Sequence, residues 1–278
     1  MIYFEETIFD SQEEDKICFA CNKDIENSSK YKNFKICSES SCNFHFHISA
    51  KERINLIIDS GSFKEINKNL TSSFEQIAQE ELEYYDEKIK SDQFRTGLNE
   101  AVITGTAKVD GKQIVIIALD FGFLGGSMGL IVGEKIALSY ELASKKQLPV
   151  ILIINSGGSR IQEGVISLMQ MSKTVSAANL LKNSNIPMIS ILCNPSTGQA
   201  MSSFATLSDI IISEPGARIG YSSYRKLKSK NSNEIKDQYT SEDFLQRGFI
   251  DLVVKRDDLR YQISTLINIF KPKYSYKS

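Results

Sequence analysis

Two kinds of residue in this chain are spaced for chemistry: glycine pairs and cysteines. Gly125-Gly126 and Gly157-Gly158 each follow an apolar run and open into a helix-like pattern. Gly198, in Asn194-Pro195-Ser196-Thr197-Gly198-Gln199-Ala200, repeats that setting further along. Glycine permits positive φ and lets another molecule approach the main chain closely. A helix N-terminus adds unpaired N–H groups and the positive end of a dipole. Two such turns converging on one carbonyl oxygen would stabilise an enolate, each donor contributing roughly 3–4 kcal/mol in the transition state. The same clusters also serve simply as tight turns for close packing.

Four of the five cysteines lie in one stretch: Cys18-Phe19-Ala20-Cys21, a gap of fifteen residues, then Cys37 and Cys42. Two pairs on facing turns can set four thiolates tetrahedrally around Zn²⁺, and the spacing is that of a zinc ribbon with a long second pair. So small a module has little core, so metal binding would supply much of its folding energy. His45 and His47, the only histidines, are alternative ligands in place of Cys37 or Cys42. Cys193 stands alone and reads as a small buried apolar residue.

Other chemistries fail on missing parts. Gly125-Gly126-Ser127-Met128-Gly129 matches G-x-S-x-G. A serine nucleophile needs a base, usually histidine, and both histidines belong to the cysteine-rich stretch. Neither the dinucleotide fingerprint nor the P-loop pattern occurs. With 33 basic and 34 acidic residues the net charge is -1, which gives no electrostatic reason to expect nucleic acid or a membrane surface. The longest apolar runs, such as Ile114–Leu119 and Val150–Ile154, are far too short to span a bilayer. The first 15 residues hold six acids and no Lys or Arg. They read as an acidic disordered tail, not as a signal or transit peptide.

The elements that must position the glycines follow from periodicity. After the cysteine module (16–48), residues 49–97 read as a helical packing arm, with Ile54, Leu56 and Ile57, then Leu82, Tyr85 and Ile89, at amphipathic spacing and Gly61 closing the first helix. From 98 to 272 the pattern is α/β. AVITGTAKV and KQIVIIALD form a hairpin around Asp110-Gly111. Helical stretches then alternate with the strands PVILIIN, IPMISILC, DIIIS and FIDLVV; NPSTGQAMSSFATL reads as a turn and helix, and a helix closes the domain before a tail at 273–278. The strand–strand–helix repeat implies a stacked superhelix.

The runs LDFGFLGGSMGLIVGEKIA, INSGGSRIQEGVISLMQMSKT and NPSTGQAMSSFATLSDIIISEPGARIG resemble the carboxyltransferase beta subunits of multi-subunit acetyl-CoA carboxylases. The four-cysteine module and ISAKERI fit that family too, and RTGLNEAV looks most like its plastid-encoded members. The likeness covers roughly residues 16–270. It implies a ClpP/crotonase-like ββα superhelix with an N-terminal zinc-ribbon module. It also implies transfer of a carboxyl group from carboxybiotin, on a carrier protein, to acetyl-CoA, giving malonyl-CoA for fatty acid biosynthesis. The implied partners are a carboxyltransferase alpha subunit, in a heterotetramer of two alpha and two beta chains, the biotin carboxyl carrier protein, and biotin carboxylase, to which the ATP step belongs. One Zn²⁺ per subunit is expected on Cys18, Cys21, Cys37 and Cys42. The setting is the plastid stroma or, alternatively, a bacterial cytoplasm.

On this resemblance Gly157, Gly158 and Gly198 are the expected oxyanion donors. Gly125, Gly126 and Arg160 are expected at the substrate, with Arg160 either holding the turn or meeting a CoA phosphate. The family usually carries T-T-G-G-V where this chain has Ser196-Thr197-Gly198-Gln199-Ala200, and the Gly220–Arg225 stretch also departs from it. Two other classes remain open: a crotonase-type hydratase or isomerase using Glu134 or Glu163, and a decayed structural or RNA-binding subunit.

Overall fold

The computed structural model describes residues 17–70, 79–223 and 239–270. The acidic stretch 1–15 and the tail 273–278 lie outside them. The core is one mixed eight-stranded sheet in the order β1-β2-β3-β4-β5-β6-β8, with β7 pairing β5 off that path. Strands β1 (Lys64–Ile66), β2 (Val102–Val109) and β3 (Lys112–Leu119) are antiparallel. The hairpin closes on Asp110 (φ 48) and Gly111 (φ 76), the doubly left-handed turn that matches strand twist. From β3 onward the sheet is parallel through β4 (Val150–Ser156), β5 (Met188–Thr197), β6 (Ile210–Ser213) and β8 (Leu252–Val253).

Burial explains the continuous apolar runs. Ile114–Leu119 and Val150–Ile154 are all inaccessible or nearly so, as befits strands covered on both faces. Helices α4 (Leu130–Lys146) and α5 (Gly164–Asn183) pack against one another on one side. On the other lie α2 (Ala50–Ile57), closed by a Ser49–Glu52 capping box, and the C-terminal α7 (Leu259–Phe270). Gly61 falls in the turn after the α2 cap at Ile58. The arm continues in α3 (Gln79–Thr96), and α6 (Ser241–Gln246) precedes β8. One expected helix is absent. NPSTGQAMSSFATL extends β5 to Thr197 and then runs through turns to a single 3-10 turn at Ala205–Leu207. Thr197 is drawn into the sheet because β7 (Ile219–Gly220) pairs it: Ser196 with Ile219, Thr197 with Gly220.

The cysteine module, with its short helix α1 (Ser29–Phe34), has a core of its own: Cys18, Ile25, Tyr31, Cys37 and Phe46. Phe46 meets Tyr31 and Phe44 edge-on, each at 5.1 Å. A buried ion cluster docks the module on the sheet. Glu214 accepts from Arg53 Nη1 at 2.8 Å and from Arg256 Nε and Nη2 at 2.7 and 3.0 Å. Arg256 Nη1 reaches back to the carbonyls of Phe34 and Lys35. The flanking arginines hold the Glu214 carboxyl well below the usual carboxylate range despite its burial.

Candidate functional site

The three glycine clusters come together at the ends of β3, β4 and β5. Gly157 N–H donates to Gly125 O at 2.8 Å, Met128 N–H to Gly158 O at 2.8 Å, and Arg160 N–H to Met128 O at 2.9 Å. The loop after β3 is thus laced onto the turn after β4. Gly126 (φ 61) has no room for a side chain, because a Cβ there would lie 2.0 Å from the Asn155 carbonyl oxygen. The β5 turn abuts the β4 turn: a Cβ on Gly198 (φ 63) would lie 2.9 Å from Gly158 Cα, with Ser223 Cα at 3.5 Å. The turns after β4 and β5 are therefore in contact.

The amides themselves divide. Gly157 N–H is spent on Gly125 O, and Gly198 N–H donates to Gly220 O at 2.9 Å. Neither is available as an oxyanion donor in this arrangement, which corrects the expectation for those two residues. Among the described residues Gly158 N–H reaches only Ser156 Oγ, at 3.3 Å, and its φ of 130 is one that side chains rarely adopt. The main-chain N–H groups of Gln199 and Ala200 have no acceptor among the described residues. Gln199 itself avoids positive φ, so the non-glycine residue here costs no backbone strain. Its side-chain Nε2 donates to Ser167 O on α5.

Arg160 is fully buried and cannot meet a CoA phosphate. Its guanidinium takes Glu100 in a fork, Nη2 to Oε1 at 2.5 Å and Nη1 to Oε2 at 3.0 Å. It also donates to Tyr85 Oη at 3.2 Å, to Ser127 O at 3.2 Å and to Ser127 Oγ at 3.3 Å. Glu163 lies beside it, accepting from Tyr85 Oη at 2.7 Å and capping α4 through Leu130 N–H at 2.5 Å. An anion at a helix N-terminus is favoured by the dipole. Spacing placed Tyr85 on the packing arm without its bonds, and missed Glu100 altogether. Glu134, the other acid considered for hydratase chemistry, pairs with Lys173. Gly125 and Gly126 likewise act as packing and lacing residues in this geometry.

At the amino-terminal module, Cys18, Cys21, Cys37 and Cys42 bring their sulfurs within 4.8 Å of one another. The Cys18–Cys42 and Cys21–Cys37 separations are 3.8 and 3.7 Å. A tetrahedral zinc site with bonds of about 2.3 Å has sulfur–sulfur edges of about 3.8 Å, so the four thiols fit one zinc ion. Burial pushes the Cys37 thiol up to about 12, so a nearby cation is needed to hold it as thiolate. The histidines are not part of the set. His45 Nδ1 faces Glu214 Oε2 at 3.9 Å. Burial first, and Arg53 and Arg256 next, push His47 down to about 3. Metal analysis of the purified chain is expected to give one zinc per chain, and Cys21→Ser to lose it with a lower melting temperature; a metal-free chain of equal stability would contradict this.

Residues 48–274 match the family model described as the carboxyl transferase domain. The acetyl-coenzyme A carboxylase carboxyl transferase subunit beta of Fusobacterium nucleatum is 41% identical over 262 residues, covering 93% of this chain and 84% of that protein. The chloroplastic beta subunit of Pyropia yezoensis is 38% identical over 253 residues, 91% of this chain and 88% of that one. A beta/alpha protein of Natranaerobius thermophilus is 40% identical over 257 residues, 92% of this chain but 42% of its own length. Among solved structures, transcarboxylase 12S with methylmalonyl-coenzyme A and methylmalonic acid bound has a TM-score of 0.63 at 26% identity, over 79% of this chain and 41% of that one. A Pseudomonas malonate decarboxylase hetero-tetramer in complex with malonate shares the fold at a TM-score of 0.64 and 21% identity, over 80% of this chain and 82% of that one.

Proposed function

The chain belongs to the carboxyl transferase domain family, and from that premise we propose that it is the beta subunit that moves a carboxyl group from carboxybiotin to acetyl-CoA, with main-chain amides as the chemical apparatus. The carrying observation is the abutment of the Gly158 and Gly198 turns beside the Gln199 and Ala200 amides, which have no acceptor among the described residues. The methyl carbon of the thioester gives up a proton and forms a carbon–carbon bond to the transferred carboxyl. Carboxybiotin supplies that carboxyl and, on losing it, accepts the methyl proton. The chain's own task is to hold the negative oxygen that develops. Gly158 N–H and the N–H groups of Gln199 and Ala200 are the donors. No histidine is needed, and the buried acids Glu100 and Glu163 are fully engaged in structure. A hydratase would need such acids free.

The partner is a carboxyltransferase alpha subunit. An apolar face runs from the β4 turn along α5: Ile161, Val165, Leu168 and Met169 are 70, 68, 53 and 63% exposed. Singly exposed apolar residues are ordinary, but a contiguous set beside a site marks an interface. A relative in which beta and alpha regions share one chain supports the pairing. Biotin arrives on its carrier protein, with biotin carboxylase completing the enzyme; the zinc is structural. The setting is a plastid stroma or a bacterial cytoplasm.

Co-expression with an alpha subunit is expected to give a complex that makes malonyl-CoA from carboxybiotin and acetyl-CoA and does not hydrate enoyl-CoA. Leu168→Asp is expected to abolish co-purification while leaving circular dichroism unchanged. Hydration of enoyl-CoA without carboxyl transfer would overturn the activity, and undiminished association would overturn the interface.

A further inference from the structure

The arm helix α3 does more than pack. It carries three side chains to the loops of the site. Tyr85 Oη, buried, donates to Glu163 and accepts from Arg160. Asp92 Oδ2 accepts from Leu124 N–H at 2.8 Å, and Asp92 Oδ1 holds Arg95 at 2.6 Å. Arg95 in turn donates to Gly122 O. From the Leu124 contact onward the loop carries three successive positive φ angles, 46 at Leu124, 66 at Gly125 and 61 at Gly126. A left-handed leucine persists only where its surroundings over-determine it, and the Asp92 carboxylate on its N–H is one such restraint. At the other end, a Cβ on Gly129 would lie 2.4 Å from Glu163 Oε1. The acid is therefore wedged between the α4 N-terminus, Tyr85 and Arg160.

We propose that Tyr85 and Asp92 are positioning residues for carboxyl transfer: from one helix they fix the Gly122–Gly126 loop against the Gly157–Arg160 turn, and so set where Gly158 N–H stands. This rests on the carboxyltransferase reading of the site. The chain of contact is direct. Tyr85 orients Glu163 and Arg160, Arg160 holds the Ser127 carbonyl and hydroxyl, and the loop that Ser127 belongs to accepts Gly157 N–H at Gly125. Neither residue touches the reacting atoms. Loosening them shifts a donor by a fraction of an ångström, which costs rate and not affinity for the body of the CoA.

The test uses the assembled enzyme with its alpha subunit. Tyr85→Phe is expected to lower kcat for carboxyl transfer roughly tenfold, with KM for acetyl-CoA within about twofold of the parent and rate loss retained at saturating substrate. Asp92→Asn keeps the volume, removes the charge that draws Leu124 N–H and Arg95, and should give the same split; it carries the test if Tyr85→Phe fails to assemble. An unchanged kcat in the folded variants, with only a lower melting temperature, would reduce α3 to a structural brace. A raised KM at constant kcat would make it part of substrate binding, and either result overturns the proposal. Failure of the functional reading is separate: the unsubstituted complex would then show no carboxyl transfer at all.

Discussion

Gly158→Val is expected to lower kcat for carboxyl transfer by about 100- to 1000-fold, the usual cost of one displaced oxyanion donor. The reason is conformational before it is steric. Gly158 sits at φ 130, and a Cβ there would meet Ser223 Cβ at 3.5 Å and Gly198 Cα at 3.8 Å, which is ordinary contact. Space for the Cβ is therefore available, and the backbone angle is not. A β-branched residue relaxes by rotating the peptide, which turns the N–H away from the place where charge develops. Strain of this kind costs of order 1–3 kcal/mol, so the sheet behind it, whose β4 residues are wholly buried, survives. Circular dichroism and alpha-subunit binding should match the parent. Turnover within a few-fold of the parent would remove Gly158 from the chemistry.

The second large effect is on stability. Glu214→Gln is expected to destabilise the chain by about 3–5 kcal/mol, because it leaves the two arginines beside it without a counter-charge. Arg53 and Arg256 are both buried, and Arg256 also ties down Phe34 O and Lys35 O. The loss should appear in urea unfolding as a lower midpoint, together with easier release of the cysteine module in limited proteolysis. The pH dependence has a definite sign. The Glu214 carboxyl is held well below its ordinary value, so its contribution is complete above the unfolded carboxylate range, about pH 4.3. It is lost as pH falls through the folded value. Glu214→Gln should flatten that acid limb. A loss under about 1 kcal/mol, against the range expected for a broken buried pair, would show that the two arginines find other acceptors.

The residues that announce themselves in the sequence are those whose constraint is local. The Asp110-Gly111 hairpin, the buried runs of β3 and β4 and the quartet of cysteines all depend on neighbours a few positions away, and each is where spacing puts it. Glycine clusters mark where the backbone must turn, but not which way an amide then points. Gly157 and Gly198 lose their donors to Gly125 and Gly220 because two strand ends meet there, a fact of tertiary pairing. Thr197 is strand and not helix for the same reason. Tyr85 and Glu163 are drawn together across 78 positions, Glu100 and Arg160 across 60, and Arg53 and Glu214 across 161. No periodicity encodes such distances. Of the two roles expected for Arg160, holding the turn is the one that fits its bonds to Glu100 and Ser127, since an arginine beside a glycine turn is often consumed by nearby carbonyls and acids.

The most direct measurement is isotope-edited infrared spectroscopy of the assembled enzyme, with ¹³C in the thioester carbonyl of acetyl-CoA or in the ureido carbonyl of biotin. If amides at the Gly158 and Gly198 turns receive the developing charge, one of those carbonyls absorbs at lower frequency when bound than in water, and Gly158→Val abolishes the shift. Both bands at their aqueous positions in an active complex would contradict the account.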